Sequence, residues 1–193
     1  MNNRIHSIIA DSIQVKQQIL QDKDLQKLIE DVVAVTVKAL AGGNRLWFCG
    51  NGGSAADAQH LAAEFTGRFY KDRRAVPAEA FHCNTSYLTA VANDYGFGEV
   101  YARMVDGVCE KGDILFGFST SGNSENIYKA FEIATVKGVT TVGFTGSTGG
   151  KLKGLCQYLC NVPSTDTPRI QEAHIMIGHI ICELAEQEFF QKP

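Results

Sequence analysis

The chain has 193 residues, of which 45% are hydrophobic and 20% are charged, and its formal net charge is -3. This length suits one α/β domain spanning residues 1–193 and is short for two. Lys and Arg are scattered rather than clustered, so we expect no nucleic-acid partner. The N-terminus lacks the apolar core of a signal peptide, and no apolar run could span a bilayer. We therefore expect a cytoplasmic protein with no membrane contact.

The N-terminal region, residues 1–42, is predicted to form two helices. The first carries a stripe of apolar residues, Ile5, Ile8, Ile9, Ile13 and Val15, and the second runs from about Leu25 to Leu40. Gly42 and Gly43 end the second helix. Two helices ahead of a compact unit bury only one face on it, so we expect their remaining apolar residues to contact another subunit in an oligomer.

Strands and helices alternate after residue 44. The predicted strands are Arg45–Cys49, Ala78–Cys83, Ile114–Phe118, Thr140–Phe144 and Tyr158–Val162. The predicted helices are Ser54–Phe69, segments through Leu88–Val91 and Val100–Val108, Ser124–Lys137, and about Arg169–Phe189; a glycine-rich turn is predicted at Gly146–Gly150. This alternation predicts a three-layer α-β-α sandwich with a five-stranded parallel, flavodoxin-like sheet. Ligands of such sheets bind beyond the carboxyl ends of the strands.

Two other features are interpreted as structural. The six cysteines include no C-x-x-C pair, and we expect them to be reduced core residues: Cys49, Cys83, Cys109, Cys156, Cys160 and Cys182. A metal shared by Cys156 and Cys160 is disfavoured, because nothing nearby completes a soft ligand set. The polar stretch Lys71–Arg74 is interpreted as a solvated loop outside the site, with an arginine contact to substrate or a neighbouring subunit as the alternative.

Two strand-to-helix junctions are rich in glycine and hydroxyl residues. The first is Cys49–Asp57 and the second is Phe118–Ser124. Glycines allow a ligand to approach the backbone, and the first N–H groups of a helix lack internal partners, so each junction can bind a phosphate. The alternative for the second junction is a simple helix cap, but four hydroxyls within Ser119–Ser124 exceed what one cap requires. The glycine spacing fits neither ATP nor NAD motifs, and we expect no nucleotide cofactor.

Titratable side chains occur on the helices after the first junction and at the end of the chain. His60 and Glu64 are four residues apart and project from one face, either as a surface hydrogen bond or at a crowded buried face. Gln171, His174 and His179 lie on an isoleucine-rich helix. From spacing alone, core hydrogen bonding is the favoured interpretation for these three.

Four segments together resemble the SIS (sugar isomerase) domain family, and within it the phosphoheptose isomerases, over nearly the whole chain. They are Cys49–Glu64, Ala92–Gly96, Ser119–Ser124 and Pro168–His179. The resemblance implies the SIS fold and the isomerisation of D-sedoheptulose 7-phosphate to D-glycero-D-manno-heptose 7-phosphate. That reaction is the first step of ADP- or GDP-heptose synthesis for bacterial surface polysaccharide. The family pattern also implies a homotetramer with active sites between subunits.

The resemblance carries roles over to individual residues. It implies an acid/base pair at Glu64 and His179, and a zinc site at His60, Glu64, Gln171 and His179. It implies sugar-phosphate contacts at Asn51, Gly52, Gly53, Glu64, Asn93, Asp94, Ser119, Thr120, Ser121, Ser124 and Gln171. The segment Phe81–Ser86 departs from the family pattern, because relatives often have smaller or hydroxyl residues there and an aspartate at Asn84. That departure concerns the pocket wall and not the acid/base pair.

Two alternatives remain beside this isomerase. One is a non-catalytic SIS protein that binds a replication initiator; Glu64 and His179 argue against it, since a binding protein needs no acid/base pair. The other is an isomerase for a different phosphosugar, because a phosphate cradle recognises the phosphate and not the carbon chain.

Overall fold

A computed structural model describes residues 2–190 and contains one parallel sheet with the strand order β2-β1-β3-β4-β5. The strands are β1 (Leu46–Gly50), β2 (Ala78–Ala80), β3 (Ile114–Phe118), β4 (Thr140–Thr145) and β5 (Tyr158–Asn161). All residues of β1 and β3 are buried, because helices cover both faces of the sheet. The predicted α/β sandwich with five parallel strands is confirmed.

Seven helices flank the sheet. They are α1 (Asn2–Gln21), α2 (Lys23–Ala41), α3 (Gly53–Thr66), α4 (Thr85–Tyr95), α5 (Val100–Val108), α6 (Glu125–Lys137) and α7 (Thr167–Phe189). One core cluster joins a sheet face to α1, α2, α3 and α7, and the other joins the opposite face mainly to α5 and α6. Local signals set several boundaries. For example, Asp22 caps the start of α2 by accepting from the Leu25 N–H, and Gly138 ends α6 with φ +74°.

Several predicted boundaries were wrong by a few residues. The strand predicted at Ala78–Cys83 ends at Ala80, and Phe81–Cys83 forms a 3-10 turn, because β2 is an edge strand with only one neighbour to pair with. Helix α3 ends at Thr66 instead of Phe69, since Gly67 follows it. Helix α7 begins at Thr167, where Pro168 suits the first turn. The predicted glycine-rich turn continues into a 3-10 segment, Gly150–Gly154.

The N-terminal helices lie beside α7. Polar contacts attach α1: the Arg169 guanidinium donates to the Ile8 carbonyl, and the Ser12 hydroxyl donates to Glu172 at 2.6 Å. Part of the predicted apolar stripe of α1 faces outward, with Ile5 and Ile9 each 55% exposed. An apolar groove of about 460 Å³ lies between α1, α2 and α7. Met1 and residues 191–193, included in the domain prediction, lie outside the described residues.

Two expectations from the sequence require correction. Lys71–Arg74 is not simply solvated, because the Arg73 side chain is 4% exposed and forms an ion pair with Glu186. All six cysteines are free, but Cys83 is exposed rather than in the core.

No helix within residues 2–190 combines the length and apolar character needed to cross a bilayer.

Candidate active site

The two glycine-rich junctions lie side by side, because β1 and β3 are neighbours in the sheet. The chain leaves β1 and β3 toward opposite sheet faces, into α3 and α6 respectively, which opens a crevice at their carboxyl ends. This strand order has its topological switch point there, where ligands of open α/β sheets bind.

The first junction is attached to the second by a pair of amides. The Asn51 side chain donates to the Asn126 Oδ1 atom at 2.9 Å, and Asn126 donates back to the Asn51 Oδ1 atom at 2.8 Å. Asn126 lies in the first turn of α6 and is 2% exposed. Gly52 takes φ +57°, and the Tyr101 hydroxyl donates to the Gly50 carbonyl at 2.6 Å. The turn is therefore constrained from the side of α5 and α6.

The second junction, Ser119–Ser124, forms a compact hydroxyl-lined loop. The Ser119 and Ser124 hydroxyl oxygens are 2.8 Å apart and share a hydrogen bond. Ser124 occupies the N-cap position of α6, yet its side chain makes no capping hydrogen bond. The simple capping interpretation is therefore wrong for its hydroxyl. Gly122 has φ +69° and packs directly on the Gly149 carbonyl, so two loops support one another.

Hydroxyl residues from the next two loops extend this surface. A cavity of about 210 Å³ is lined by Thr120 and Ser121 together with polar residues that follow β4 and β5, among them Ser147, Ser164 and Thr167. A cavity of about 460 Å³ lies at the amino ends of β1 and β2, lined by residues such as Pro77. The candidate site is the end of the sheet that holds the 210 Å³ cavity, because helix N-termini and hydroxyl groups, which suit a phosphate, lie there.

A second cluster forms where α3 and α7 lie side by side. The His60 Nε2 atom is 3.0 Å from the His179 Nε2 atom and 3.2 Å from the Glu64 Oε1 atom. Ligand atoms of all three residues lie within 4.8 Å of one another. The Glu64 side chain is 26% exposed and that of His60 is 50% exposed, so the cluster is open to solvent in one chain.

These three donors fit a zinc ion. Tetrahedral zinc with nitrogen ligands at ~2.0–2.1 Å separates its ligand atoms by roughly 3.3 Å. The measured separations of 3.0 and 3.2 Å are close to that spacing. Two imidazoles and one carboxylate are also a suitable donor set, and they leave a fourth position for another ligand.

Burial shifts the pKa of His179 and that of Asp57, a neighbour of the cluster on α3. Burial lowers the pKa of His179, and the nearby His60 adds to that effect while Glu64 opposes it. A lowered pKa favours the neutral imidazole, which can accept a proton or bind a metal. Burial raises the pKa of Asp57 to about 6, with His60 opposing the shift. Sequence reasoning did not single out Asp57, although it precedes His60 by one turn on α3.

Gln171 lies at the other end of the same helix pair. A Cβ atom on Gly53 would be 2.6 Å from the Gln171 Nε2 atom, so the Gln171 amide lies directly against the first turn of α3. Since eight residues of helix advance about 12 Å, Gln171 and His179 are separated along α7 by more than two turns. Gln171 therefore lies beside the first junction, while His60, Glu64 and His179 lie further along the helices.

Three other residues singled out from the sequence, Asn93, Asp94 and His174, do not line the crevice between the two junctions. Asn93 and Asp94 are exposed at the end of α4, where the Asn93 amide donates to the Asp94 Oδ1 atom at 2.9 Å. His174 is fully buried: its ring packs edge-on against Phe144, and its Nε2 atom is 3.2 Å from the Thr145 carbonyl oxygen. The core interpretation of His174 is confirmed.

The structure also adds supporting residues that the sequence did not indicate. Asn126 and the Gly149–Gly150 pair hold the two junctions but carry no motif of their own. The only available signal was their position, immediately after a predicted phosphate loop and within a predicted glycine-rich turn.

Fold and site define a sugar-phosphate isomerase scaffold, and the comparison with known families agrees. The model of the family described as "SIS domain" matches residues 9–146, so the chain belongs to the SIS domain family.

Relatives narrow the class further. A phosphoheptose isomerase from Aneurinibacillus thermoaerophilus is 51% identical over 191 residues, covering 99% of this chain and 96% of that protein. The structure of phosphoheptose isomerase GmhA from Neisseria gonorrhoeae is 37% identical with a TM-score of 0.90, covering 96% of this chain and 98% of that one. A phosphoheptose isomerase structure from Francisella tularensis is 33% identical with a TM-score of 0.91, covering 96% and 97%. Within the SIS domain family, this chain is therefore an isomerase of the phosphoheptose isomerase group.

Proposed function

We propose that this enzyme converts D-sedoheptulose 7-phosphate to D-glycero-D-manno-heptose 7-phosphate, as the first step of ADP- or GDP-heptose synthesis for surface polysaccharide. The observation that carries the proposal is the Glu64–His60–His179 cluster, on helices that border a hydroxyl-lined phosphate loop. A ketose–aldose interconversion of a sugar phosphate needs an acid/base pair and a phosphate anchor. The similarity of this chain to phosphoheptose isomerases supports a seven-carbon substrate.

The phosphate anchor in the proposal is the Ser119–Ser124 loop. The hydroxyls of Ser119, Thr120, Ser121 and Ser124 and the first N–H groups of α6 donate to the phosphate oxygens. Asn51, Gly52 and Gly53 contact the sugar hydroxyls together with Gln171, which lies against Gly53. Asn93 and Asp94 are retained in the proposal from the family resemblance alone, because in one chain they lie at the exposed end of α4, apart from the crevice.

The proton transfers are assigned to Glu64 and His179. The Glu64 carboxylate removes a proton from C1 of the open-chain ketose, which leaves an enediolate with its negative charge on the C2 oxygen. The neutral imidazole of His179 accepts the proton of the C1 hydroxyl and passes it to the C2 oxygen. The protonated Glu64 then delivers its proton to C2, and the C1 oxygen becomes the aldehyde carbonyl. The sum is an aldose with both residues restored to their starting state.

We assign zinc to His60, Glu64 and His179. Gln171, the fourth ligand expected from the sequence, lies more than two turns of α7 from His179 in the same chain, so it is not part of this ligand set and is kept as a sugar contact. When bound, the ion would supply polarisation of the carbonyl oxygen and stabilise negative charge on it. Metal analysis of protein purified without chelator tests this assignment. We expect about one zinc per chain in the unmodified protein. His60→Asn should lose that zinc, because it removes one of the two imidazole ligands. Full activity of a metal-free preparation would refute it.

The proposal includes a homotetramer with active sites between subunits. Its support is the outward-facing apolar stripe of α1 and the apolar groove beside α7, which together would leave a large apolar surface in water. The partial exposure of His60 and Glu64 leaves room for a second chain over the cluster. Light scattering tests the assembly, and a monomer at micromolar concentration would refute it.

A cytoplasmic location is also part of the proposal. The six unpaired cysteines fit a reducing compartment, where disulfides are rare. Cell fractionation tests it, and recovery outside the cytoplasmic fraction would refute it.

An assay that offers sedoheptulose 7-phosphate beside shorter ketose phosphates, with products identified by NMR, tests the reaction. Conversion of a shorter sugar alone would favour the alternative that the loop serves another phosphosugar. No turnover of any sugar would favour a non-catalytic SIS protein, against which the acid/base cluster argues.

Glu64→Gln tests the assigned base. We expect it to abolish turnover while the fold and phosphosugar binding are retained, because the amide cannot accept the C1 proton and the phosphate loop is untouched. Glu132→Gln on the exposed face of α6 is the matched control. Near-normal turnover by Glu64→Gln would exclude the proposed role.

A further inference from the structure

A buried ion pair connects the ends of the two helices that carry the cluster. Arg73 lies in the segment between α3 and β2, and Glu186 lies near the end of α7. The Arg73 Nε atom is 2.7 Å from the Glu186 Oε1 atom, and the two side chains are 4% and 2% exposed. Burial of a charged pair costs free energy, and structures tolerate it only where further hydrogen bonds complete the shell.

Arg73 makes those further bonds at the end of α3. Its Nη2 atom donates to the Glu64 carbonyl at 2.8 Å, and its Nη1 atom donates to the Phe65 carbonyl at 2.9 Å. The last carbonyls of a helix have no partner within the helix, and a positive charge there is favourable. The Arg73 guanidinium therefore caps α3 at Glu64 itself.

Glu186 makes its further bonds to the segment that follows α3. Its carboxylate accepts from the N–H groups of Phe69, Tyr70 and Lys71 at 3.0, 2.8 and 2.8 Å. This fixes the backbone of Phe69, whose ring lies 5.6 Å from the His179 ring. Glu186 follows His179 by seven residues on α7, so both side chains lie on nearly the same helix face.

We propose that Arg73 and Glu186 are positioning residues that set the location of the Glu64 carboxylate relative to the His179 imidazole. One member caps the helix at Glu64, and the other holds the aromatic ring that contacts His179. The catalytic part of this inference rests on the proposed function of Glu64 and His179. If the pair had only a structural role, its substitution would lower the stability of the protein without changing the geometry of the cluster.

Arg73→Lys and Glu186→Gln are the test variants. Lysine keeps the charge next to Glu186, but it cannot also reach the carbonyls of Glu64 and Phe65, and glutamine keeps an acceptor while removing the charge. Arg74→Lys is the matched control in the same segment, because Arg74 is exposed. Val105→Ala is the stability control, because Val105 lies fully buried in the other core cluster.

Two measurements follow for each variant: kcat and KM for the sugar phosphate, and the histidine ring signals by NMR, assigned with His60→Asn and His179→Asn. We expect kcat to fall about tenfold or more with little change in KM, because displacement of a catalytic group by ~1 Å has large effects on rate. We also expect the signals of His60 and His179 to shift while that of His6 does not.

The inference is overturned if both variants behave like Val105→Ala, with lower melting temperature but unchanged kcat and unchanged His60 and His179 signals. Wild-type protein without isomerase activity would refute the proposed function instead. The NMR comparison would still decide whether the pair positions the cluster. If Glu186→Gln does not fold, Arg73→Lys alone gives the same two readouts.

Discussion

Replacement of Gly122 by alanine probes the support of the phosphate loop. Gly122 has φ +69°, and a Cβ atom there would be 2.1 Å from the Gly149 carbonyl oxygen. Ordinary contact begins at 3.4 Å, so two backbone segments must separate by more than 1 Å. Neither segment can relieve the overlap by rotating a side chain, and the Ser119–Ser124 loop must move.

The cost has two parts. A left-handed backbone costs a non-glycine residue about 1–2 kcal/mol, and overpacking adds about 1–3 kcal/mol. Gly43→Ala is the matched control, because Gly43 has φ +79° and no atom within 4 Å of the added Cβ. Gly43→Ala carries only the cost of the left-handed backbone and not that of overpacking. We therefore expect Gly122→Ala to be less stable than Gly43→Ala by about 1–3 kcal/mol.

The same displacement should weaken substrate binding. A hydrogen bond to a charged group contributes about 1.5–3 kcal/mol, so loss of one phosphate contact raises Kd about tenfold to a hundredfold. Urea unfolding gives the stabilities, and titration calorimetry with the sugar phosphate gives Kd. Equal stability and equal Kd for Gly122→Ala and Gly43→Ala would refute the assignment of this loop as a constrained phosphate anchor.

Three further predictions concern the surroundings of the site. Tyr101→Phe should lower stability by about 1–3 kcal/mol in urea unfolding, since it leaves the buried Gly50 carbonyl without its 2.6 Å bond; an unchanged midpoint would contradict this. Asn126→Ala should raise KM with a smaller effect on kcat, because the Asn51 side chain loses its reciprocal partner; equal kinetics would exclude that support role. Burial lowers the pKa of His174 to about 4, so the unfolded chain binds a proton first as pH falls below about 6.5, and stability decreases. We expect a loss of about 2 kcal/mol between pH 7.5 and pH 5 that His174→Gln does not show, and an equal loss in both proteins would contradict it.

Much of the fold was predictable because its signals are local. The strand Ile114–Phe118 was predicted with the bounds that the structure has, since a short apolar run between polar turns indicates a buried parallel strand. The Ser119–Ser124 loop and the turn at Asn51 were predicted from glycines and hydroxyls at strand ends. Strand–helix alternation then places both at one edge of the sheet.

Other features could not be predicted because their partners are distant in the chain. Arg73 was interpreted as part of a solvated loop, and no local pattern indicates a carboxylate 113 residues away. The end of β2 at Ala80, instead of the predicted Cys83, also depends on a distant partner. An edge strand extends only as far as it pairs with its single neighbour, and β2 pairs only with Leu46–Phe48 of β1.

The sequence by itself determined the α/β class, the two glycine- and hydroxyl-rich junctions and the His and Glu side chains on neighbouring helical turns, because these depend on periodicity and on neighbours within one turn. Only the tertiary structure brought His60 within 3.0 Å of His179, 119 residues later, and placed Gln171 against Gly53. The physical reason is that α3 and α7 pack on the same face of the sheet. The separation of their side chains is set by that packing and by the Arg73–Glu186 pair, and neither is encoded in a local motif.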